Sequence, residues 1–194
     1  MPEERSRDFI QSLERGLAVI DSFSEKRPEQ SLSEVAQETG LSRATARRAL
    51  LTLVELGYVQ QSSRLFSLTP KVLDLAFSFL SSFRVADLAQ PSMERLVEEI
   101  QESSSMSVLD GPDVVYVARV PTTRIMTISL ALGSRLPAYT TSMGRVLLAA
   151  LPEKELKQYV AGTKFIPLTK HTITNEDEWR AELDRVRKQG YALV

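Results

Sequence analysis

A pair of helix signals separated by one glycine limits the fold of this chain more than any other feature. Ser31, with Glu34 three residues later, has the form of a capping box, in which the two side chains satisfy free amides of the first helical turn. Gly40 can take the left-handed conformation that ends a helix, and Ser42 can cap the next helix. The sequence therefore predicts a short helix over about 33–39, a tight turn, and another helix that runs to about residue 56.

This pair has a helix before it and two strands after it. Apolar residues recur at helical spacing from Leu13 to Ile20, which predicts a first helix over about 12–24. Beyond Gly57, the runs YVQQ and RLFSL are typical of two short strands that form a hairpin with Arg64 close to its tip. Three helices followed by a hairpin make up a winged helix-turn-helix.

The third helix of this unit has one apolar face and one arginine face. Its alanine and leucine side chains repeat every three or four residues and share a face, while Arg47 and Arg48 fall on the far side. From 43 to 64 the chain carries four arginines and one glutamate, although its overall net charge is -1. This local positive charge suits a DNA-reading helix, although a solvated arginine face is the plainer interpretation of one helix taken alone. The residues that we predict to contact DNA are Ser42, Arg43, Ala44, Thr45, Arg47, Arg48 and Arg64.

A fourth helix is predicted to begin at Thr69 and Pro70, because threonine can cap a helix and proline fits its first position. Large apolar residues lie on more than one side of this helix, so we expect it to be buried on several sides and to join two subunits. The chain is therefore predicted to have three parts. These are a winged helix-turn-helix DNA-binding domain over 1–69, a linker helix over 70–84 and a second domain over 85–194.

The second domain is predicted to be α+β with an antiparallel sheet. An amphipathic helix over about 86–102, interrupted at Pro91, precedes two stretches rich in β-branched residues, MSVLDGPDVVYVARV and IMTISLAL. The last residues, YALV, are typical of the opening of a strand, and we expect the domain to continue past Val194. Three more helices are expected between IMTISLAL and YALV. The first runs from Ser142 to Ala150, and the second starts at Leu151–Pro152–Glu153. The third covers about 176–189, with Asn175 or Thr174 as its cap and Gly190 at its end.

The composition leaves little room for catalysis or metal binding. The chain has no cysteine and a single histidine, His171, and no nucleophile with a base and an orienting group can be recognised. We therefore expect no enzyme activity, no metal and no cofactor, and we expect Trp179 to serve packing. With 43% hydrophobic and 25% charged residues the chain is typical of a folded soluble protein, and its charged start has no signal-peptide core. A cytoplasmic location is expected.

Four segments, in order, resemble the IclR family of bacterial transcriptional regulators: SLERGLAVIDSF, SLSEVAQETGLSRATARRALLTLVELGYV, FSLTPKVLDLAF and LGSRLPAYTTSMGRVLLAALP. The second and fourth are most similar to the subgroup that controls aromatic catabolism through the protocatechuate and β-ketoadipate pathway. The resemblance implies a winged-helix domain, a linker helix and a GAF-like domain that binds a small aromatic or dicarboxylate effector. It also implies a homodimer or dimer of dimers on double-stranded operator DNA, without a membrane partner.

The resemblance implies an effector pocket between the sheet and the segment LPAYTTSMG. One part of the pocket would be an apolar wall, and another a helix start whose free amides and dipole can receive a carboxylate. Arg124, Arg135 and Arg145 could add charge, although single arginines are more often surface residues and sheet isoleucines more often core. The residues placed in this pocket are Ile125, Ile128, Leu136, Ser142 and Met143.

Three functions remain open at this point. In the preferred one, the chain is a ligand-responsive regulator, and effector binding changes the spacing of two winged helices through the linker helix. In the alternative, a metabolite-binding or enzymatic domain carries a winged helix that mediates protein contacts only. In the third, the protein binds DNA without a ligand and its second domain serves dimerisation.

Overall fold

A computed structural model describes residues 6–82, 84–122 and 130–194 of the chain. The chain divides into a first unit, Met1–Ser82, and a second unit, Phe83–Val194. Each unit has its own apolar core. The first unit is mainly helical with a small sheet, and the second is α+β, as the sequence predicts.

The first unit has the predicted order of three helices, a hairpin and a fourth helix. Its sheet is antiparallel, with the strand order β1-β3-β2, so the hairpin gains a third strand from the segment that leads into α2. The sequence analysis missed this strand because three polar residues carry no alternating apolar pattern. The elements are α1 (Gln11–Asp21), β1 (Glu29–Ser31), α2 (Leu32–Thr39), α3 (Arg43–Glu55), β2 (Val59–Ser62), β3 (Leu65–Leu68) and α4 (Val72–Ser82).

The predicted caps of α2 and α3 are confirmed, whereas α4 begins at Val72, after the start predicted at Thr69 and Pro70. Ser31 Oγ accepts a hydrogen bond from the Glu34 amide, and the Glu34 carboxylate accepts one from the Ser31 amide at 2.7 Å. The Ser31 amide, followed by its hydroxyl, lowers the pKa of Glu34. Gly40 has a φ of 65°, in the left-handed region, and Ser42 Oγ accepts from the Thr45 amide at 3.2 Å. These contacts mark where α2 begins and ends and where α3 begins.

The core of the first unit holds one face of α3 and leaves the opposite face free. Ala46, Leu50 and Leu53 of α3 are buried among apolar side chains of α1, α2 and the hairpin. The large apolar residues of α4, by contrast, are exposed to solvent: Leu73 is 64% exposed and Phe77 is 71% exposed. The expectation that this helix is buried on several sides is therefore not met within the single chain.

The second unit begins with a long helix and continues into an antiparallel sheet of order β4-β5-β6. The predicted interruption at Pro91 is wrong: α5 runs through this proline. Proline removes one backbone donor, and a helix held by packing can tolerate this loss. The elements are α5 (Arg84–Ile100), β4 (Ser104–Asp110), β5 (Asp113–Val120), β6 (Arg135–Pro137), a 3-10 helix (Ala138–Thr140), α6 (Ser142–Ala149), α7 (Glu153–Gly162) and α8 (Glu176–Gln189).

Other expectations for this unit have mixed outcomes. Most of the run IMTISLAL lies outside the described residues, and its last three residues, 130–132, are not in a strand. The run YALV is not in a strand either, since no neighbouring strand pairs with it in the part of the chain described. Asn175 caps α8 through the Glu178 amide, and Gly190 ends it with a φ of 82°, as predicted.

The core of the second unit is built around Trp179, which is fully buried. Its indole nitrogen donates to the Tyr139 carbonyl at 3.2 Å, and its ring stacks on Tyr159 with centroids 6.0 Å apart. Burial raises the pKa of Tyr159. The prediction that Trp179 serves packing is confirmed, and α6, α8 and the 3-10 helix are held together around it.

Candidate DNA-contacting and effector sites

The recognition face of α3 follows from the way its core face is packed. Because Ala46 and Leu50 point into the core, Arg43 and Arg47, which are four residues apart, share an exposed face. The hydroxyls of Ser42 and Thr45 lie 2.9 Å apart at the helix start, where Ser42 is already committed to capping. The long guanidinium groups are therefore the main chemical groups that this face offers to a partner.

Three of the predicted arginines are brought together by the fold. Arg43, Arg47 and Arg64 line one cavity of about 410 Å³ between α3 and the tip of the hairpin. The apolar residues Leu51 and Phe66 line the same cavity. Positive charge from two separate elements thus lines a single cavity, and arginines placed in this way can contact DNA phosphates.

The same cavity includes residues that the sequence analysis did not select. Ser31 and Ser33, at the start of α2, also line it. In helix-turn-helix proteins the first helix of the motif crosses the DNA backbone, and a helix start favours anions. In the sequence, the capping-box pattern at Ser31 is the one signal at this position, and by itself it predicts only a helix cap.

The predicted DNA-contacting arginines are also unpaired. Within the described residues, no hydrogen bond or ion pair involves the guanidinium group of Arg43, Arg47, Arg48 or Arg64. By contrast, Arg27 of the same unit makes an ion pair with Glu38. A guanidinium without an acidic partner is free to bind an anion from outside the protein.

Arg48 lies on a different side of α3 from the other arginines. Together with Thr45 it lines a larger groove of about 550 Å³, whose walls come from α1, from α3 along its length and from Leu75 of α4. Ala44 is exposed and lines neither hollow. The structure thus divides the predicted DNA-contacting set, because Arg43, Arg47 and Arg64 form one group and Arg48 faces α1.

The predicted effector residues are only partly brought together. Ile125 and Ile128, as well as Arg124, lie outside the described residues. Leu136 of β6 is half-buried and packs against the core of the second unit. Ser142 and Met143 do line a cavity, which has a volume of about 410 Å³ and opens beside the start of α6.

The other walls of this effector cavity were missed by the sequence analysis. Met93 of α5 and three residues of β4, Ser105 to Ser107, line it together with 190–192. The hydroxyl oxygen of Ser107 is shielded from solvent and has no hydrogen-bond partner in the chain as described. These residues lie far apart in the sequence, so only the fold places them beside α6.

The start of α6 is held rigidly. Thr141 Oγ1 accepts from the Gly144 amide at 3.0 Å and caps the helix. Gly144 packs so closely against the 3-10 helix that a Cβ at this position would lie 2.1 Å from the Ala138 carbonyl oxygen. A side chain here would require the backbone to move. Ser142 and Met143 therefore have a fixed position at the cavity.

Two of the arginines considered for effector charge are already occupied. Arg135 donates to Asp110 at 2.7 Å and to Asp113 at 3.2 Å on the surface, and its hydrogen bond to Asp110 raises the pKa of Arg135. Arg145 is buried, pairs with Glu182 at 3.4 Å and donates to the Tyr139 carbonyl. Neither contributes a free charge to the cavity.

No other centre for chemistry emerges in the part of the chain that the structure covers. His171 is exposed in a loop, and its backbone amide bonds to a threonine hydroxyl. Among the residues described, no three acidic, histidine or cysteine side chains are grouped so that they could hold a metal ion. No described helix has both the length and the apolar composition that a membrane span needs.

Comparison with known proteins decides the family. The profile of the IclR helix-turn-helix domain matches residues 12–63, and that of the bacterial transcriptional regulator IclR C-terminal domain matches 77–194. The chain belongs to the IclR family. The two matches follow the order of the fold: the first runs from α1 to the turn of the hairpin, and the second runs from within α4 to the end of the chain.

Curated members of the IclR family are similar over nearly the whole chain. The Pca regulon regulatory protein of Pseudomonas putida is 40% identical over 96% of the chain, and the p-hydroxybenzoate hydroxylase transcriptional activator of Acinetobacter baylyi is 37% identical over 98%. The chain spans 65% and 72% of the lengths of these two relatives. The first is a regulatory protein and the second a transcriptional activator, which supports the expectation that the chain is not an enzyme.

Solved structures agree with this assignment. A protein of Rhodococcus sp. RHA1, assigned as a transcriptional regulator, is 54% identical and superposes with a TM-score of 0.80 over 94% of this chain and 73% of its own. An IclR homologue of Microbacterium hydrocarbonoxydans, crystallised with 4-hydroxybenzoate, shares the fold with a TM-score of 0.80 at 24% identity, over 93% of this chain and 75% of its own.

Proposed function

We propose that the chain is the DNA-binding and ligand-sensing part of a regulator of aromatic-compound catabolism, acting in the bacterial cytoplasm. The observation that carries this proposal is the convergence of the unpaired Arg43, Arg47 and Arg64 on one cavity beside α3. Arginine is the commonest base-reading side chain in the major groove, and a wing can follow the adjacent backbone. Membership of a family of transcriptional regulators supports the same conclusion.

The second unit is proposed to bind an aromatic carboxylate. The cavity beside α6 has methionine walls for a ring, and the helix start at Ser142 and Met143 can receive an anion. The relatives named for the Pca regulon and for p-hydroxybenzoate support an aromatic acid of this class, as does the 4-hydroxybenzoate in the Microbacterium protein. The residues proposed to line the site are Met93, Ser107, Ser142 and Met143, with Ile125, Ile128 and Leu136 retained from the family resemblance.

The regulator is expected to bind DNA with a steep dependence on salt. Each phosphate that the protein neutralises should contribute a slope of about -0.9 to the logarithm of the binding constant against the logarithm of salt concentration. Fluorescence anisotropy of the full chain on a duplex from upstream of its own gene, over a salt series, measures this slope. A flat dependence would instead favour a ligand-binding domain whose winged helix contacts protein only.

The ligand part of the proposal is tested by the same assay with 4-hydroxybenzoate. The ligand should change the dissociation constant for DNA, and at about 100 times its own dissociation constant it should stabilise the second unit by about 2.7 kcal/mol. Trp179, the single tryptophan, reports unfolding of that unit. Met143→Glu, which places a negative charge at the helix start, should abolish both effects, whereas the exposed-loop control Leu168→Glu should keep them.

A homodimer is proposed through the apolar surface of the first unit. Leu13 and Leu17 of α1 are 59% and 50% exposed, and they line the groove of about 550 Å³ that also includes Leu75 of α4. Exposed leucines on two neighbouring helices, with an apolar groove between them, are typical of a surface that a second copy covers. Two copies would place two recognition helices about one turn of DNA apart, so the operator should contain two related half-sites.

Charged substitutions on α1 are expected to separate the two copies. The double variant Leu13→Glu, Leu17→Glu should sediment as a monomer at concentrations where the wild type is a dimer, because carboxylates in an apolar contact lose their hydration. The matched control is Ile166→Glu, Leu168→Glu, which changes two exposed apolar residues of the second unit. If both double variants keep the dimer, its interface lies elsewhere.

A further inference from the structure

The C-terminal end of α3 is bonded to the residues that lead into α4. Three consecutive carbonyls each accept one hydrogen bond: Leu56 from Lys71 Nζ at 2.8 Å, Gly57 from Thr69 Oγ1 at 2.5 Å, and Tyr58 from the Thr69 amide at 2.9 Å. The Lys71 ammonium also lies 5.0 Å from the centroid of the Tyr58 ring. This set of contacts is called the α3–α4 tie below.

Lys71 suits this position in charge and in shape. The carbonyl end of a helix carries partial negative charge, so an ammonium that bonds to the last carbonyls is favourable. Gly57 has a φ of 80°, and a Cβ built there would lie 3.6 Å from Lys71 Cδ. The stem of the lysine therefore covers the turn while its ammonium reaches past it to Leu56. The substitution Lys71→Met would keep much of the apolar stem and lose the hydrogen bond to the Leu56 carbonyl.

We propose that Lys71 is a positioning residue that couples α4 to the recognition helix α3, an inference that rests on the ligand-responsive function proposed above. The first unit ends with α4, so the backbone path from the second unit reaches the winged helix through this helix. The α3–α4 tie bonds the segment before α4 directly to the end of the helix that carries Arg43 and Arg47. A movement of α4 is therefore passed to the recognition helix. Without the tie, a movement of α4 changes only the conformation of the turn at 69–71 and leaves α3 in place.

The tie is tested by comparing ligand responses in the full chain. Dissociation constants for the upstream duplex are measured by anisotropy with and without 4-hydroxybenzoate, for the wild type, Lys71→Met and Lys71→Arg. Allosteric couplings typically change affinity about 5- to 150-fold, and we expect Lys71→Met to bring this ratio within about twofold of one. Lys71→Arg keeps a cation and should retain the wild-type ratio. A wild-type ratio in Lys71→Met would overturn the proposal.

A second measurement does not depend on the ligand. Amide hydrogen exchange at Tyr58 and Thr69 should be faster in Lys71→Met, while exchange at Leu50, in the middle of α3, stays unchanged. If the wild type shows no response to 4-hydroxybenzoate, the ligand response of the proposed function fails, and the exchange experiment alone decides about the tie. Equal protection of Tyr58 and Thr69 in Lys71→Met and the wild type would show that Lys71 does not hold the two helices together.

Discussion

The double variant Arg43→Ala, Arg47→Ala is expected to bind its operator about 2–6 kcal/mol more weakly than the wild type, at about 1–3 kcal/mol for each base-reading contact. Both side chains lie on the exposed face of α3, line the cavity beside the wing and have no partner within the described chain. Their removal therefore costs DNA contacts without breaking a contact inside the protein. Anisotropy on the upstream duplex at fixed salt measures the change, and circular dichroism checks that α3 remains folded.

Two comparisons make this experiment specific. Arg84→Ala, Arg95→Ala removes two exposed arginines from α5 and should change operator affinity little. Arg48→Ala should have a smaller effect than either Arg43→Ala or Arg47→Ala, because Arg48 lines the groove beside α1. A salt series separates base readers from phosphate contacts, since loss of one phosphate contact lowers the slope by about 1. Unchanged affinity in the double variant would remove α3 from the DNA interface.

The winged helix could be predicted closely because its signals are local. The capping box at Ser31, the glycine turn at Gly40 and the cap at Ser42 each act within one helical turn, so a short stretch of sequence contains all the atoms involved. The arginine face of α3 follows from helical periodicity in the same way. What periodicity could not show is that Arg64 of the hairpin joins Arg43 and Arg47 while Arg48 does not, since this depends on how the hairpin packs.

The effector cavity could be predicted only in part, for the opposite reason. Ser142 and Met143 were found through a family resemblance, but their neighbours come from α5, β4 and the residues after α8. No local pattern marks Ser107 as a cavity residue, because its position is set by the pairing of β4 with β5. Arg145 is a candidate for effector charge on sequence alone, because no local pattern shows that its charge has a partner. Its partner, Glu182, lies on another helix, and only the packing of α6 against α8 shows that the charge is neutralised.

Removing the partner of that buried arginine is expected to have the largest effect on stability. Arg145 and Glu182 are 7% and 6% exposed, and their side chains meet at 3.4 Å. In the variant Glu182→Leu the Arg145 guanidinium stays buried. Among the described residues, the Tyr139 carbonyl then remains as its hydrogen-bond acceptor. Leaving one charge of a buried pair uncompensated typically costs about 3–5 kcal/mol in the free energy of unfolding. Urea titration followed by Trp179 fluorescence measures this cost in the second unit alone.

The reciprocal and double variants separate the ion pair from simple loss of packing. Arg145→Leu should destabilise less than Glu182→Leu, because Glu182 keeps a contact with Arg185, which reaches solvent. The double variant Arg145→Leu, Glu182→Leu should be more stable than Glu182→Leu alone, since no charge is then buried.

Asp184→Ala, which breaks a surface pair with Arg187, is the control and should cost at most about 1 kcal/mol in the free energy of unfolding. If the double variant is no more stable than Glu182→Leu, burial of an unpaired charge is not the cause. Because Arg145 sits in the first turns of α6, Glu182→Leu should also weaken binding of 4-hydroxybenzoate at Ser142 and Met143.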